Sequence, residues 1–188
     1  MQPTLQVGDR ILIEKVSKWK GRMLERGAIV CFYPPKMYFP NGIDISFDIP
    51  HMLGRMTGLP FFPQDPVFIK RIIGIPGDRI KVASGAGVYV NDKLLEEPYV
   101  SAPANYDLNK LSDMGGLVMN KPMTPFAGQN EEIVVPPGML FVLGDDRNKS
   151  EDSRLWGFLP EERVLGRTWL MVMPQWRYIR TPGYARGN

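Results

Sequence analysis

One lysine stands inside the run Val67-Phe68-Ile69-Lys70-Arg71-Ile72-Ile73-Gly74-Ile75-Pro76-Gly77. Branched and aromatic side chains, closed by glycine and proline, read as a buried strand. A lysine there either carries its charged head to water along an apolar stem or sits where burial disfavours the ammonium. In the second case its pKa falls. A neutral amine at working pH is a general base that can activate a serine hydroxyl. The segment alone leaves both readings open.

A second segment dense in chemical groups is Gly144-Asp145-Asp146-Arg147-Asn148-Lys149-Ser150-Glu151-Asp152-Ser153-Arg154, a polar loop leaving the apolar stretch Val142-Leu143. Acids and arginines interleave in it, and a salt-bridged surface loop accounts for that pattern on its own. Other catalytic schemes have less to stand on. His51 is the only histidine and lies in a proline-rich stretch, so a Ser-His-Asp site is disfavoured. Cys31 is the only cysteine, so no internal disulfide forms, and its apolar neighbours Ala28-Ile29-Val30 and Phe32 make it a core filler. There is no glycine-rich phosphate loop and no His/Cys ligand cluster, so neither metal nor cofactor is expected.

The elements that must position these groups are short strands. The chain has 188 residues with 19 glycines and 18 prolines, enough length for one core with a subdomain and many turns. A net charge of +3 is too small to argue for nucleic-acid binding. No run of 18 apolar residues is present, so no transmembrane helix is expected within the chain. Strands are expected at 7–16 (after a turn), 28–32, 67–75, 78–82, 87–90, 94–95, 132–135, 139–143 and 164–174. Asn91-Asp92-Lys93 makes a hairpin turn. Residues 36–66 read as a long insertion with a short helix near His51 to Thr57, and 101–130 as a second irregular insertion. The expected fold is all-β: antiparallel strands in a coiled barrel or sandwich. Its core comprises 1–83 and 136–180, with a smaller inserted lobe at 84–135 and a frayed tail at 181–188.

Four segments occur in one order: Met1-Gln2-Pro3-Thr4-Leu5, Arg26-Gly27-Ala28-Ile29-Val30, Lys70 to Asp78 and Gly144 to Arg154. In that order they resemble the motif boxes of type I signal peptidases, the leader peptidases that use a Ser-Lys dyad. Asn91 to Val100 resembles that family's hairpin. Ala28 stands where many members have aspartate, and Asp146 where many have asparagine.

The resemblance implies a serine endopeptidase that removes signal peptides from exported preproteins by cleaving after small-x-small sequences. It places Lys70 as general base and Ser150 as the serine that orients it. Arg71, Asp145, Asp152 and Arg154 would hold the site loops together. Met1, Leu5, Ile11, Cys31, Phe68 and Ile69 would line the shallow pockets for small substrate side chains. The family's nucleophilic serine would fall one residue before Met1, so the chain by itself is expected to be inactive. Preproteins and the lipid bilayer are the expected partners, with the catalytic domain on the extracytoplasmic side of a membrane and the anchor upstream. The residues also admit another Ser-Lys peptidase of the same fold, of the self-cleaving repressor type, or a non-catalytic peptide-binding β-module.

Overall fold

The structure, a computed structural model, describes residues 1–15, 25–34, 49–50, 53–54, 67–108, 126, 132–179 and 181–184. Branched and aromatic residues between glycine and proline turns give short strands, and every described pair of strands is antiparallel. The strands are β1 (Arg10–Glu14), β2 (Ile29–Phe32), β3 (Phe68–Gly74), β4 (Arg79–Ala83), β5 (Gly87–Val90), β6 (Lys93–Leu94), β7 (Ile133–Val134), β8 (Met139–Leu143), β9 (Leu159–Pro160), β10 (Val164–Met173) and β11 (Arg177–Tyr178). A seven-stranded sheet runs β1-β10-β2-β3-β8-β9, with β11 pairing β10, and a four-stranded sheet runs β6-β5-β4-β7.

The turn Ile75-Pro76-Gly77-Asp78 moves the chain from the first sheet to the second. The Asp78 carboxylate accepts from the Ile75 N–H at 2.8 Å, and the Gly77 N–H donates to the Val135 carbonyl at 2.9 Å. The second sheet therefore begins at Arg79, ahead of residue 84.

Strand β2 is buried along its whole length, so it is apolar on both faces instead of alternating. One face carries a core of Val30, Phe32, Ile72, Leu140 and Val142. The opposite side of the central strands meets the second sheet, where Ile73, Phe141 and Leu143 pack with Ile80, Val88, Val90 and Phe126. Ala104, Tyr106 and Leu108 join that core from the second insertion, which has no strand in its described residues. Of the first insertion, Ile49, Pro50, Leu53 and Gly54 are helical; the rest of the helix expected near His51 to Thr57 lies outside the described residues. No helix among the described residues is long and apolar enough to cross a membrane.

Candidate active site

Alternation along β3 sends Lys70 and Arg71 to opposite faces. Lys70 stands beside Val30 of β2, and Arg71 lies between Ile29 of β2 and Leu143 of β8. The two neighbours thus take different work: one amine facing a cavity, one guanidinium tying the sheet to the loop that follows β8.

Arg71 is buried and makes a two-pronged ion pair with Asp145, Nε to Oδ1 at 2.8 Å and Nη2 to Oδ2 at 2.6 Å. Its Nη1 donates to the Gly27 carbonyl at 2.8 Å, and the Tyr99 ring centre lies 3.7 Å from its guanidinium carbon. The hydroxyl of Thr4 donates to Asp145 at 2.5 Å. Planar guanidinium and carboxylate groups match in this geometry, which fixes orientation as well as charge. The pair anchors residues 1–5 to the loop after β8.

That loop is pinned at its far end by a short helix, Ser153–Trp156, capped by Asp152. Asp152 accepts from the Gly144 N–H at 3.0 Å and from Arg154 Nε at 2.6 Å. Arg154 also donates to the carbonyls of Arg147 and Ser150, at 2.6 Å and 2.5 Å. Gly144 and Asp152 so close a hairpin-like loop that carries Ser150 at its inner edge. Arg147 grips Glu97 through two bonds of 2.5 Å, joining the loop to the hairpin of the second sheet.

Lys70 and Ser150 line one cavity of about 390 Å³, together with Met1, Leu5, Ile69, Asp146 and Glu151. Burial pushes the Lys70 amine down from the usual lysine range; the Asp152 and Glu151 carboxylates push the other way, and Arg154 assists burial. The Met1 amino group is pushed down by burial and then by the Lys70 charge. Met1, Lys70 and Ser150 thus share the lining of one cavity, with the Met1 amine near enough to feel the Lys70 charge. The Ser150 Oγ is buried and makes no hydrogen bond among the described residues. It faces Gly144 instead.

The expected apolar lining divides. Met1, Leu5, Ile11 and Ile69 pack in one cluster with Ile29 and Met171, and Met1, Leu5 and Ile69 reach the cavity. Cys31 is fully buried with its Sγ 3.5 Å from the Thr168 hydroxyl, and burial pushes its thiol up. Phe68 points to the side of Lys70, away from Ile69, and does not line the cavity; its ring centre lies 6.2 Å from that of Phe32 and 5.6 Å from the Lys70 Nζ. The period of two along a strand accounts for this split between Ile69 and Phe68. No group of His, Cys, Asp and Glu among the described residues could hold a metal.

Thr4, Glu97, Tyr99 and Arg147 escaped the reading of the sequence as site residues. Each pairs across 50 or more positions (Thr4 with Asp145, Glu97 with Arg147) or stacks on a residue far away in the chain, and local spacing carries no trace of that. The only signal was that Thr4 and Arg147 lay within motif boxes, and Glu97 and Tyr99 within the segment that resembles the family's hairpin.

A family model described as signal peptidase, peptidase S26 matches residues 1–173. The chain belongs to this signal peptidase family. Probable signal peptidase I-2 of Synechocystis is 36% identical over 174 residues, which cover 93% of this chain and 59% of that protein. Probable signal peptidase I-1 of the same organism is 31% identical over 178 residues, 95% of this chain and 69% of that signal peptidase. The chloroplastic thylakoidal processing peptidase 1 of Arabidopsis thaliana is 34% identical over 174 residues, 93% of this chain and 39% of its own length. The chain therefore spans less than two thirds of the length of two of these relatives.

Proposed function

We propose that this chain is most of the catalytic domain of a membrane-associated signal peptidase, a serine endopeptidase that removes N-terminal signal peptides from preproteins after small-x-small sequences. The observation that supports the reading best is the shared cavity of Lys70, Ser150 and the Met1 end, with the Lys70 amine depressed by burial. The catalytic domain faces the extracytoplasmic side of the membrane in this reading.

A free lysine titrates near about 10.4, so nearly all of it is charged at neutral pH. Burial against Ile69 and Phe68 raises the neutral fraction of Lys70. A serine joined to the Met1 nitrogen would place its hydroxyl at the end of the cavity that Lys70 faces. Its O–H proton passes to the Lys70 Nζ as its oxygen bonds to the substrate carbonyl carbon. Lys70 then returns the proton to the leaving amine as the C–N bond breaks. Water hydrolyses the acyl-serine by the same proton route. General-base catalysis of this kind contributes about 10²–10⁴-fold. Ser150 is the hydroxyl placed to orient the neutral amine once its Oγ turns from Gly144. Arg71, Asp145, Asp152 and Arg154 keep the two loops in register, and Met1, Leu5 and Ile69 floor a pocket for small side chains. The test is preprotein cleavage by the protein bearing the upstream segment and its serine. Lys70→Ala in that protein should reduce turnover to background. Undiminished cleavage by the Lys70→Ala variant would overturn the assignment.

A further inference from the structure

After β10 the chain returns across the start of the molecule, as residues 177–179 and 181–184, and touches the N-terminal segment by two separate routes. The direct route is Arg177, whose Nη2 donates to the Thr4 carbonyl at 2.8 Å. The longer route begins at Tyr184. Its hydroxyl lies 2.6 Å from that of Tyr99, whose ring stacks on Arg71 at 3.7 Å. Arg71 holds Asp145, and Asp145 accepts from the Thr4 hydroxyl.

We propose that these residues form a strap that fixes residues 1–5 against the Lys70 cavity, with Tyr184 and Arg177 as positioning residues. The proposal rests on the peptidase reading above. Gly27 shows how closely the strap is seated. A Cβ there would come 2.7 Å from the Tyr184 Cε2 and 3.0 Å from the Pro182 Cδ, and the backbone has a φ of +88°, so glycine alone fits. The Gly27 carbonyl is in turn an acceptor for Arg71, so the same contact braces the guanidinium from a second side. Burial, and then the Glu97 charge, push the Tyr99 hydroxyl up, and burial pushes Tyr184 up. Both hydroxyls remain neutral across the working range, and one donates to the other.

The strap reaches Thr4 itself by a polar contact, beside a cavity of about 510 Å³ lined by Thr4, Arg71, Tyr99, Arg177 and Pro182, while Ile179 packs against the apolar cluster of Leu5, Ile29 and Met171. Loss of one polar contact therefore loosens residues 1–5 while the packing of Ile179 and the sheet remain. Thr4 sits inside the turn closed by the Leu5 N–H and the Met1 carbonyl at 3.0 Å. Movement at Thr4 is carried to Met1, and so to the cavity that Lys70 faces.

Amide exchange in the 188-residue protein tests this. The Leu5 and Gln6 amides report the N-terminal segment, since Leu5 donates to Met1 and Gln6 to the Asp9 carboxylate; the Ile72 amide, bonded to the Ala28 carbonyl at 2.9 Å, reports the sheet. Tyr184→Phe and Arg177→Met should each speed exchange at Leu5 and Gln6 about fivefold or more, the equivalent of one net hydrogen bond, with Ile72 unchanged. Arg177→Lys should restore most of the protection. Unchanged exchange at Leu5 and Gln6, or an equal rise at Ile72, overturns the strap. In parallel, titration with a small-x-small peptide should give weaker binding in Tyr184→Phe than in the parent, and equal binding overturns the positioning role. Absence of peptide binding in every protein counts against the peptidase reading and leaves the exchange result to decide the strap.

Discussion

The Oγ of Ser150 lies 2.0 Å from the point where a Cβ on Gly144 would stand, and the Ser150 Cβ lies 2.5 Å from it. The serine occupies the space a side chain would need. Gly144 is held by its N–H bond to Asp152, the residue that also caps the following helix, so it cannot retreat without losing that bond. Gly144→Ala should therefore displace Ser150 and destabilise the protein by about 1–3 kcal/mol, as overpacking does. Adding Ser150→Gly should recover most of that loss. Urea unfolding of the two single variants and the double variant checks the coupling; additive effects would show that the two residues do not compete for the space.

Burial holds Lys70 below the ordinary lysine range, and this has a sign in stability. Below its depressed value, folded and unfolded chains both hold the proton, and the folded chain bears the whole cost of a buried charge. Above the ordinary value of about 10.4 neither is charged and the cost vanishes. Between the two, the unfolded chain binds more protons, so stability rises with pH. Lys70→Met should be more stable than the parent at neutral pH, and the difference should shrink as pH approaches the ordinary lysine value. Chemical unfolding of both proteins from about pH 6 to about pH 10.5 measures the difference, in which all shared groups cancel. A difference that does not vary with pH would mean that Lys70 stays solvated.

How much of this was legible depended on range. Strands β3, β5, β8 and β10 could be read to within a residue or two, because branched and aromatic runs end at glycine or proline. Strands β9 and β11 have two residues each and no pattern of their own; pairing with β8 and β10 makes them. The short helix Ser153–Trp156 was missed, although Asp152 before Ser153 is a good N-cap. At the site, Lys70 was legible because a charged residue in an apolar run is locally odd. That Arg71 and Asp145 support the site loops was implied by motif boxes alone; their pairing with each other, and the bonds from Thr4 and Arg177, were not legible at all. Ile69 and Phe68, read together as pocket lining, part to opposite faces because neighbours in a strand must.

Asp145 is fully buried and neutralises an equally buried Arg71. Removing one partner of such a pair leaves an uncompensated charge, which costs about 3–5 kcal/mol. Asp145→Ala should lose that much stability, whereas Asp145→Asn, which keeps one acceptor for Arg71, should lose clearly less. Thermal unfolding monitored by circular dichroism separates the two. Equal losses would assign the role of Asp145 to its charge and not to the shape and acceptor that asparagine keeps.

Among the charges that act on Lys70 after burial, Asp152 is buried in the loop, whereas Glu151 is exposed and lines the cavity. Glu151 opposes burial by favouring the ammonium. Glu151→Gln should move the Lys70 titration, and with it the rising limb of the pH–rate profile, to lower pH. The variant keeps the size of the side chain, so substrate contacts change little. Because the carboxylate is exposed, salt screens it, and the gap between parent and variant should narrow at high ionic strength. The profile is measured with a protein extended by a segment that puts a serine directly before Met1. A limb that moves to higher pH would contradict the electrostatic account.

Tyr106 is buried in the core between the sheets, with the Arg154 guanidinium 4.6 Å above its ring. Its hydroxyl has no hydrogen-bond partner among the described residues, and burial pushes it up to about 12. A buried hydroxyl without a partner loses its hydration and gains nothing in return, at about 1–3 kcal/mol. The ring is a different matter, since it fills core volume and stacks on the arginine that pins the Ser150 loop. Tyr106→Phe should therefore match or exceed the parent in stability, by up to about 1 kcal/mol, and leave catalysis unchanged. Tyr106→Ala should cost about 3–5 kcal/mol through the cavity it opens, and should lower activity as Arg154 loses its support. Denaturant unfolding beside a cleavage assay on both variants checks the pair. A marked loss of stability in Tyr106→Phe would show that the hydroxyl makes a bond that holds the core.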